Sequence, residues 1–194
     1  MWVTRFRGSV VQLIGLYLVA CALLVVAGVV KAIRPDDTAR ALAVVVPVPV
    51  RHLHWIIRFG SIIEAALGMV ALLVPRTMTA GLVAVSYLVF AGAVAFARSK
   101  GGAIASCGCF GTPDTPATVL HVVINGGLAI SAVVVALVGP TGSIASILSA
   151  QPLHGIPLVA ASALCGWFTY LAITAMSRLD AARRLLGISF RPPR

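Results

Sequence analysis

The sequence contains little charge, and this scarcity excludes a soluble globular protein. Only 10% of its 194 residues are Asp, Glu, Lys or Arg, whereas 60% are hydrophobic and the mean hydropathy is +1.04. Soluble domains carry about 25% charged residues. The chain also has no internal repeat and no low-complexity linker, so we expect no second independent domain. Low charge and high hydropathy together predict a single all-α domain embedded in a membrane.

Five apolar segments are long enough to cross a bilayer as helices. A hydrocarbon core of about 30 Å requires roughly 20 helical residues, and lipid favours helices because every backbone amide must be paired internally. The predicted spans are residues 10–30, 55–74, 77–97, 118–138 and 156–176. We therefore expect an integral membrane helix bundle, with a four-helix core plus a fifth transmembrane helix. Between the first two spans, residues 36–38 are expected to cap a short helix that begins at about Ala39.

Basic residues outnumber acidic ones by 15 to 5, which gives a formal net charge of +10. We do not interpret this excess as a nucleic-acid site. The basic residues lie in short loops and tails beside the apolar segments, where they contact lipid headgroups and influence orientation. Residues 177–194 are predicted to form a basic C-terminal tail outside a bundle at 1–176. This tail is expected either to lie along an anionic membrane surface or to be solvated.

The distribution of the basic residues predicts an orientation in the cell membrane. If successive helices alternate in direction, three basic residues lie on the side of the N-terminus and twelve lie on the opposite side. The positive-inside rule then predicts that the side with twelve basic residues is cytoplasmic. Arg5 and Arg7, which directly precede the first span, favour the opposite orientation. The sequence therefore predicts a multi-pass protein and leaves its orientation open.

Two of the four cysteines, Cys107 and Cys109, are one residue apart in the polar loop 98–116. Thiol reactivity depends on the thiolate fraction and on access, and a loop at the membrane surface supplies both. Gly108 would ease the closure of a small disulfide ring between them, and strained, exposed disulfides are the oxidising ones. The pair predicts a thiol–disulfide oxidoreductase. One thiolate would attack an external disulfide and the other would resolve the mixed intermediate.

The same thiols fit two other interpretations. They could bind a soft cation such as Cu(I), Zn(II) or Hg(II), with His121 or Asp114 completing the ligand set. They could also be incidental, in a chain that acts as a non-catalytic assembly subunit of a membrane complex. The other two cysteines, Cys21 and Cys165, could form a second redox pair, although buried cysteines commonly serve as small apolar residues.

Three polar residues inside the predicted spans are expected on the same side of the bundle as the cysteine loop. Glu64 and Asn125 lie about two turns, roughly 10–12 Å, below that surface, and His121 lies one turn nearer to it. Gly60 and Gly68 flank Glu64 at i±4, where small residues let a neighbouring helix approach. An ionised Glu in lipid is costly, so Glu64 should point inward, either bonded across a helix contact, for example to Asn125, or handling protons. His121 could be a general base, a metal ligand or an interfacial histidine.

Several motifs together resemble the methylamine-utilisation protein MauE family, which is related to DoxX-like membrane proteins. They are AGVVK at 27–31, RPDDTARA at 34–41, EAALG at 64–68, SCGCFG at 106–111 and the asparagine at 125. The resemblance covers roughly residues 15–138, and the cysteine loop is its most specific part. The fifth span and the basic tail lie outside it.

The resemblance implies a redox-associated membrane protein. The family's namesake is implicated in maturing a disulfide-rich methylamine dehydrogenase subunit alongside a thioredoxin-like partner. By this resemblance, Cys107 and Cys109 would exchange electrons with a thioredoxin-like protein. Our leading hypothesis also allows a quinone as the electron-exchange partner and possible cofactor. Glu64, His121 and Asn125 would shape the pocket beneath the thiols. The family's presumed partners are extracytoplasmic, which conflicts with the orientation that the basic residues predict.

Overall fold

Helices account for all regular secondary structure in the described parts of the chain. The computed structural model describes residues 2–43, 48–99 and 119–139, together with 156–157, 160–169, 171, 175 and 179. Its helices are α1 (Trp2–Ile33), α2 (Asp36–Ala43), α3 (Val50–Leu73), α4 (Thr77–Ser99) and α5 (Val119–Val138). This architecture confirms the predicted all-α class.

Four of the described helices are long and apolar enough to cross a membrane. The candidate spans are Ile14–Ile33 in α1, Val50–Leu73, Thr77–Phe96 in α4 and Val119–Val138. A helix pairs its own backbone groups, which is what the absence of water in the bilayer core requires. The chain is therefore a multi-pass membrane protein, as predicted. Residues 160–169 are also helical, but they form only part of the predicted span at 156–176, so a fifth transmembrane helix stays a prediction.

The buried core lies mainly between α1, α4 and α5. Its fully buried side chains include Leu24 of α1, Val83 of α4 and Ala132 of α5. Tyr87 of α4 belongs to the same cluster, and its hydroxyl donates a hydrogen bond of 2.7 Å to the carbonyl oxygen of Ala20 in α1. A buried tyrosine hydroxyl is costly without a partner, so this bond favours one relative position of α1 and α4.

The contact between α1 and α3 depends on two glycines. A Cβ atom on Gly28 of α1 would lie 2.6 Å from the carbonyl oxygen of Ser61, and one on Gly68 of α3 would lie 2.8 Å from that of Cys21. Such distances are too short for any other residue, so the two backbones touch directly at both points. The predicted packing role of Gly68 is thus confirmed. The same prediction for Gly60 is wrong, because the space beside it is open.

The helix α3 begins at Val50, five residues before the predicted start at residue 55. Pro49 precedes the first residue, Val50, with φ −55° and ψ 134°, a position that a proline without an amide hydrogen tolerates. The helix α2 also begins earlier than expected, at Asp36. The carboxylate of Asp36, expected to cap α2, is instead 2.9 Å from Nδ1 of His54 in α3. This tertiary hydrogen bond joins α2 to the start of α3.

The end of α5 coincides with the predicted end of the fourth span at residue 138. Gly139 follows with φ +87°, in the left-handed region that glycine adopts without steric cost. Its amide donates a hydrogen bond of 3.0 Å to the carbonyl oxygen of Val135. This is a glycine-terminated helix end, in which a left-handed residue satisfies one of the last free carbonyls.

We expect the exchange of Gly28 for alanine to lower the free energy of unfolding by about 1–3 kcal/mol, the usual cost of overpacking. The new methyl group would overlap the backbone of α3 at Ser61. Gly60→Ala is the matched control: it makes the same chemical change where space is open, so it should leave stability unchanged or slightly raised. Unfolding of the purified protein by titration with sodium dodecyl sulfate would measure both. Equal stabilities of the two variants would contradict the close contact.

Candidate functional site

A buried ion pair connects α1 with α3. Nζ of Lys31 lies 2.5 Å from Oε2 of Glu64, and the two side chains are 10% and 24% exposed. Lys31 belongs to the last turn of α1, where a cation interacts favourably with the helix dipole. The same ammonium group lies 4.5 Å from the ring centre of Phe90 in α4, a cation–π contact. The Lys31 ammonium therefore contacts both α3 and α4.

This pair explains how a charged carboxylate is accommodated in an apolar helix. Acidic and basic side chains within membrane segments normally face the interior and pair with one another. Glu64 does so, as expected, but its partner is Lys31 and not Asn125. The sequence predicts basic residues in loops and tails, whereas Lys31 belongs to the last turn of α1. The signal that would have identified the pair was one Lys at the end of an apolar segment and one Glu inside another.

The pair also shows at which level along α1 Glu64 lies. Glu64 comes fourteen residues after Val50, roughly 21 Å along the axis. Its partner Lys31 is nevertheless in the last turn of α1. Because α1 and α3 run antiparallel, the first turns of α3 extend past the end of α1. Glu64 is level with that end of α1, on the side of the bundle where α5 begins.

His121 and Asn125 are connected at the start of α5. Nδ2 of Asn125 donates a hydrogen bond of 2.8 Å to the backbone oxygen of His121, one turn earlier. This bond gives the Asn125 amide nitrogen a partner, which lowers the cost of a polar side chain in an apolar helix. The side chain of His121 is only 3% exposed. His121 is therefore a buried residue in the first turn of α5.

Cys107, Gly108 and Cys109 lie outside the described residues. The chain nevertheless defines where their loop is attached, because α4 ends at Ser99 and α5 begins at Val119. The helices α4 and α5 pack against each other along the bundle, and they run in opposite directions. Both attachment points are therefore at the same end of the bundle as Lys31 and His121.

The remaining cysteines do not form the second pair that the sequence allowed. Cys21 and Cys165 are both free; Cys21 is fully buried and Cys165 is exposed. Cys21 belongs to the hydrophobic core cluster with Leu24 and Val83. It therefore acts as a small apolar residue between helices, the commoner role of a buried thiol.

The described ranges contain no group of three or more His, Cys, Asp or Glu side chains placed to hold a metal ion. Of the predicted soft-metal ligands Cys107, Cys109 and His121, only His121 is described. Asp114, the predicted alternative to His121, also lies outside the described residues. A metal site at the cysteine loop therefore stays a prediction.

An apolar groove of about 530 Å³ lies between α1 and the helical residues 160–169. Leu18, Val26 and Val30 line one wall, and Trp167 lines the other. Its shape and chemistry suit an isoprenoid or acyl chain. Ser162 and Trp167 are the lining residues with polar side-chain atoms, so the groove fits the tail of a quinone better than its head.

Comparison with known proteins gives one family match. Residues 9–139 match the sequence profile of a family described as methylamine utilisation protein MauE. The match covers more than half of the chain, runs through all four candidate spans and includes the cysteine loop. It ends at the glycine that terminates α5. No curated protein and no solved structure shows significant similarity to the chain.

Removing one member of the ion pair should destabilise the bundle more than removing both. Glu64→Gln leaves the Lys31 ammonium buried without a counter-charge, which costs about 3–5 kcal/mol of unfolding free energy. Lys31→Met likewise leaves the Glu64 carboxylate without a counter-charge. The double variant removes both charges and should recover most of the loss. Dodecyl sulfate titration of the four proteins measures this coupling, with exposed Arg76→Met as the charge-removal control. Additive losses in the double variant would contradict the pair.

Proposed function

Because the chain belongs to the MauE family of membrane proteins, we propose that it is a thiol–disulfide redox protein of the cell membrane. Cys107 and Cys109 are its proposed reacting groups, and a thioredoxin-like protein or a quinone is its proposed partner. The observation that carries the proposal is the family match, which includes the cysteine loop together with the four spans. The family takes its description from methylamine utilisation. We propose accordingly that this chain acts in the maturation of a disulfide-containing enzyme.

The proposed reaction is a two-electron exchange. One of the two thiolates attacks a disulfide of the partner protein, which forms a mixed disulfide and releases one partner thiolate. The second thiolate attacks the mixed disulfide, closes the Cys107–Cys109 bond and releases the second partner thiolate. The partner gains two electrons, and with two protons it becomes a dithiol, while this chain is oxidised. In the reverse direction the Cys107–Cys109 disulfide oxidises a partner dithiol.

The described helices support this proposal because they hold both ends of the cysteine loop. The loop is attached to α4 at Ser99 and to α5 at Val119, and the Lys31–Glu64 pair lies in the same half of the bundle, where it contacts Phe90 of α4. A buried ion pair and direct helix contacts limit relative movement of the helices below the loop. Exchange between two thiols requires that their separation be controlled. Helices that move little relative to each other therefore suit this chemistry.

His121 is the proposed general base for the thiols. It lies twelve residues after Cys109 and in the first turn of α5. An imidazole can take up a proton near neutral pH, and removing the proton of a thiol generates the nucleophile. The bond from Asn125 to the His121 backbone contributes to a defined position of that turn. Glu64 is proposed to act on the site through its ion pair, as a positioning residue.

Thiol trapping tests the reaction against the two alternatives. We expect Cys107 and Cys109 to be protected from maleimide after oxidation and to react after dithiothreitol. Cys107→Ser or Cys109→Ser should abolish this change, whereas Cys165→Ser, which alters an exposed free cysteine, should not. Unmasking by a chelator without reductant would instead support a soft-metal site. Loss of function on changes to helix packing, with both serine variants active, would support a non-catalytic assembly subunit.

Labelling from each side of the membrane tests the orientation. Lys31 is buried and paired. If the predicted fifth span crosses the membrane, eleven of the twelve basic residues on the side of the cysteine loop remain as orientation signals, against three on the other side. We therefore expect an impermeant maleimide to reach Cys107 and Cys109 from the cytoplasmic side. Arg76→Cys, in the connection between α3 and α4, is the matched control and should react from the opposite side. The reverse pattern would show that the partner is extracytoplasmic.

A further inference from the structure

The start of α3 carries a stripe of alternating basic and aromatic side chains. Arg51, Trp55, Arg58 and Phe59 follow one another at helical spacings of four, three and one, so they lie on one side of the helix. All four are exposed, and Trp55 and Phe59 are 52% and 58% exposed. The rings of Trp55 and Phe59 stack with their centres 5.8 Å apart. The guanidinium carbon of Arg58 lies 6.0 Å from the centre of the Trp55 ring.

This stripe faces away from the rest of the bundle. The buried residues of α3, which include Leu53, Ser61 and Gly68, lie on the opposite side of the helix. Farther along the exposed side the residues become purely apolar, as Ile62 and Ile63 show with 49% and 68% exposure. The change from arginine and tryptophan to isoleucine is the change expected where headgroups meet hydrocarbon.

The positive charge of the stripe is not neutralised by the described side chains. Asp36 is hydrogen-bonded to His54, and Glu64 is paired with Lys31. Neither Arg51 nor Arg58 has a carboxylate partner among the described residues. Arg51 and Arg58 are seven residues apart, which is about two helical turns. Each guanidinium group can donate several hydrogen bonds.

We propose that Arg51, Trp55, Arg58 and Phe59 form a binding site for the headgroup of an anionic phospholipid. The guanidinium groups of Arg51 and Arg58 donate hydrogen bonds to the lipid phosphate and attract the net negative charge of the headgroup. The stacked rings lie against the glycerol and the upper acyl chain, where amphipathic aromatic groups are stable. Arg51 and Arg58, which have no carboxylate partner among the described residues, make the site selective for anionic over zwitterionic lipid, because each cation adds attraction only to a net negative surface.

The selectivity can be measured on the full chain by native mass spectrometry from detergent micelles. Phosphatidylglycerol and phosphatidylcholine with identical acyl chains are the probes, added alone and in competition. We expect the wild-type chain to prefer phosphatidylglycerol by about tenfold or more, since each arginine near an anionic lipid contributes a factor of roughly five. Arg51→Gln with Arg58→Gln should lose most of this preference. Arg76→Gln, which removes an exposed arginine at the other end of α3, should retain it.

A second readout does not depend on transfer to the gas phase. In a Trp2→Phe and Trp167→Phe background Trp55 is the only tryptophan, and brominated phosphatidylglycerol should quench its fluorescence more strongly than brominated phosphatidylcholine in mixed vesicles. Glycerol phosphate at millimolar concentration should not relieve this quenching, because it lacks the acyl chains that the aromatic pair contacts. Equal quenching by the two lipids, unchanged preference in the double arginine variant with normal helicity, or displacement by glycerol phosphate would each overturn the proposal.

Discussion

The ion pair between Lys31 and Glu64 is the interaction on which the arrangement of the bundle depends. A carboxylate inside an apolar helix is tolerated only when it is paired, and this requirement sets the rotation of α3 about its axis and its level against α1. The direct backbone contacts at Gly28 and Gly68 then follow along the same interface. The contact of the ammonium with Phe90 extends the arrangement to α4. Electrostatics and close packing thus specify the same position of the helices.

The proposed chemistry and the described structure occupy different parts of the chain and meet at one end of the bundle. The cysteine loop joins α4 to α5, and the buried His121 with its Asn125 partner begins α5. The proposed lipid site lies at the start of α3, on the same side of the membrane as this loop. A partner that approaches the thiols would therefore meet a surface bordered by arginines and headgroups. Membership of the MauE family is consistent with a reacting loop carried by a four-helix body.

The sequence predicted most of the fold, because length and apolar composition determine membrane spans directly. The predicted end of the last core span at residue 138 was correct, and Gly139 explains it. The starts of α2 and α3 were less predictable, since the bond between Asp36 and His54 is tertiary and local capping rules do not include it. The inward orientation of Glu64 followed from the cost of charge in lipid. Its partner did not, because a lysine at a span boundary is equally compatible with a loop.

The separation of the two ion-pair partners by 33 positions along the chain has a consequence for synthesis. During translation α1 leaves the ribosome before α3 does, so the Lys31 ammonium reaches the bilayer ahead of its counter-ion. Its long side chain can reach water from the last turn of α1 in the meantime. The ammonium becomes buried only when α3 arrives and supplies the carboxylate. Insertion of α1 and its docking against α3 are therefore separate events. The docking can occur only after α3 has left the ribosome.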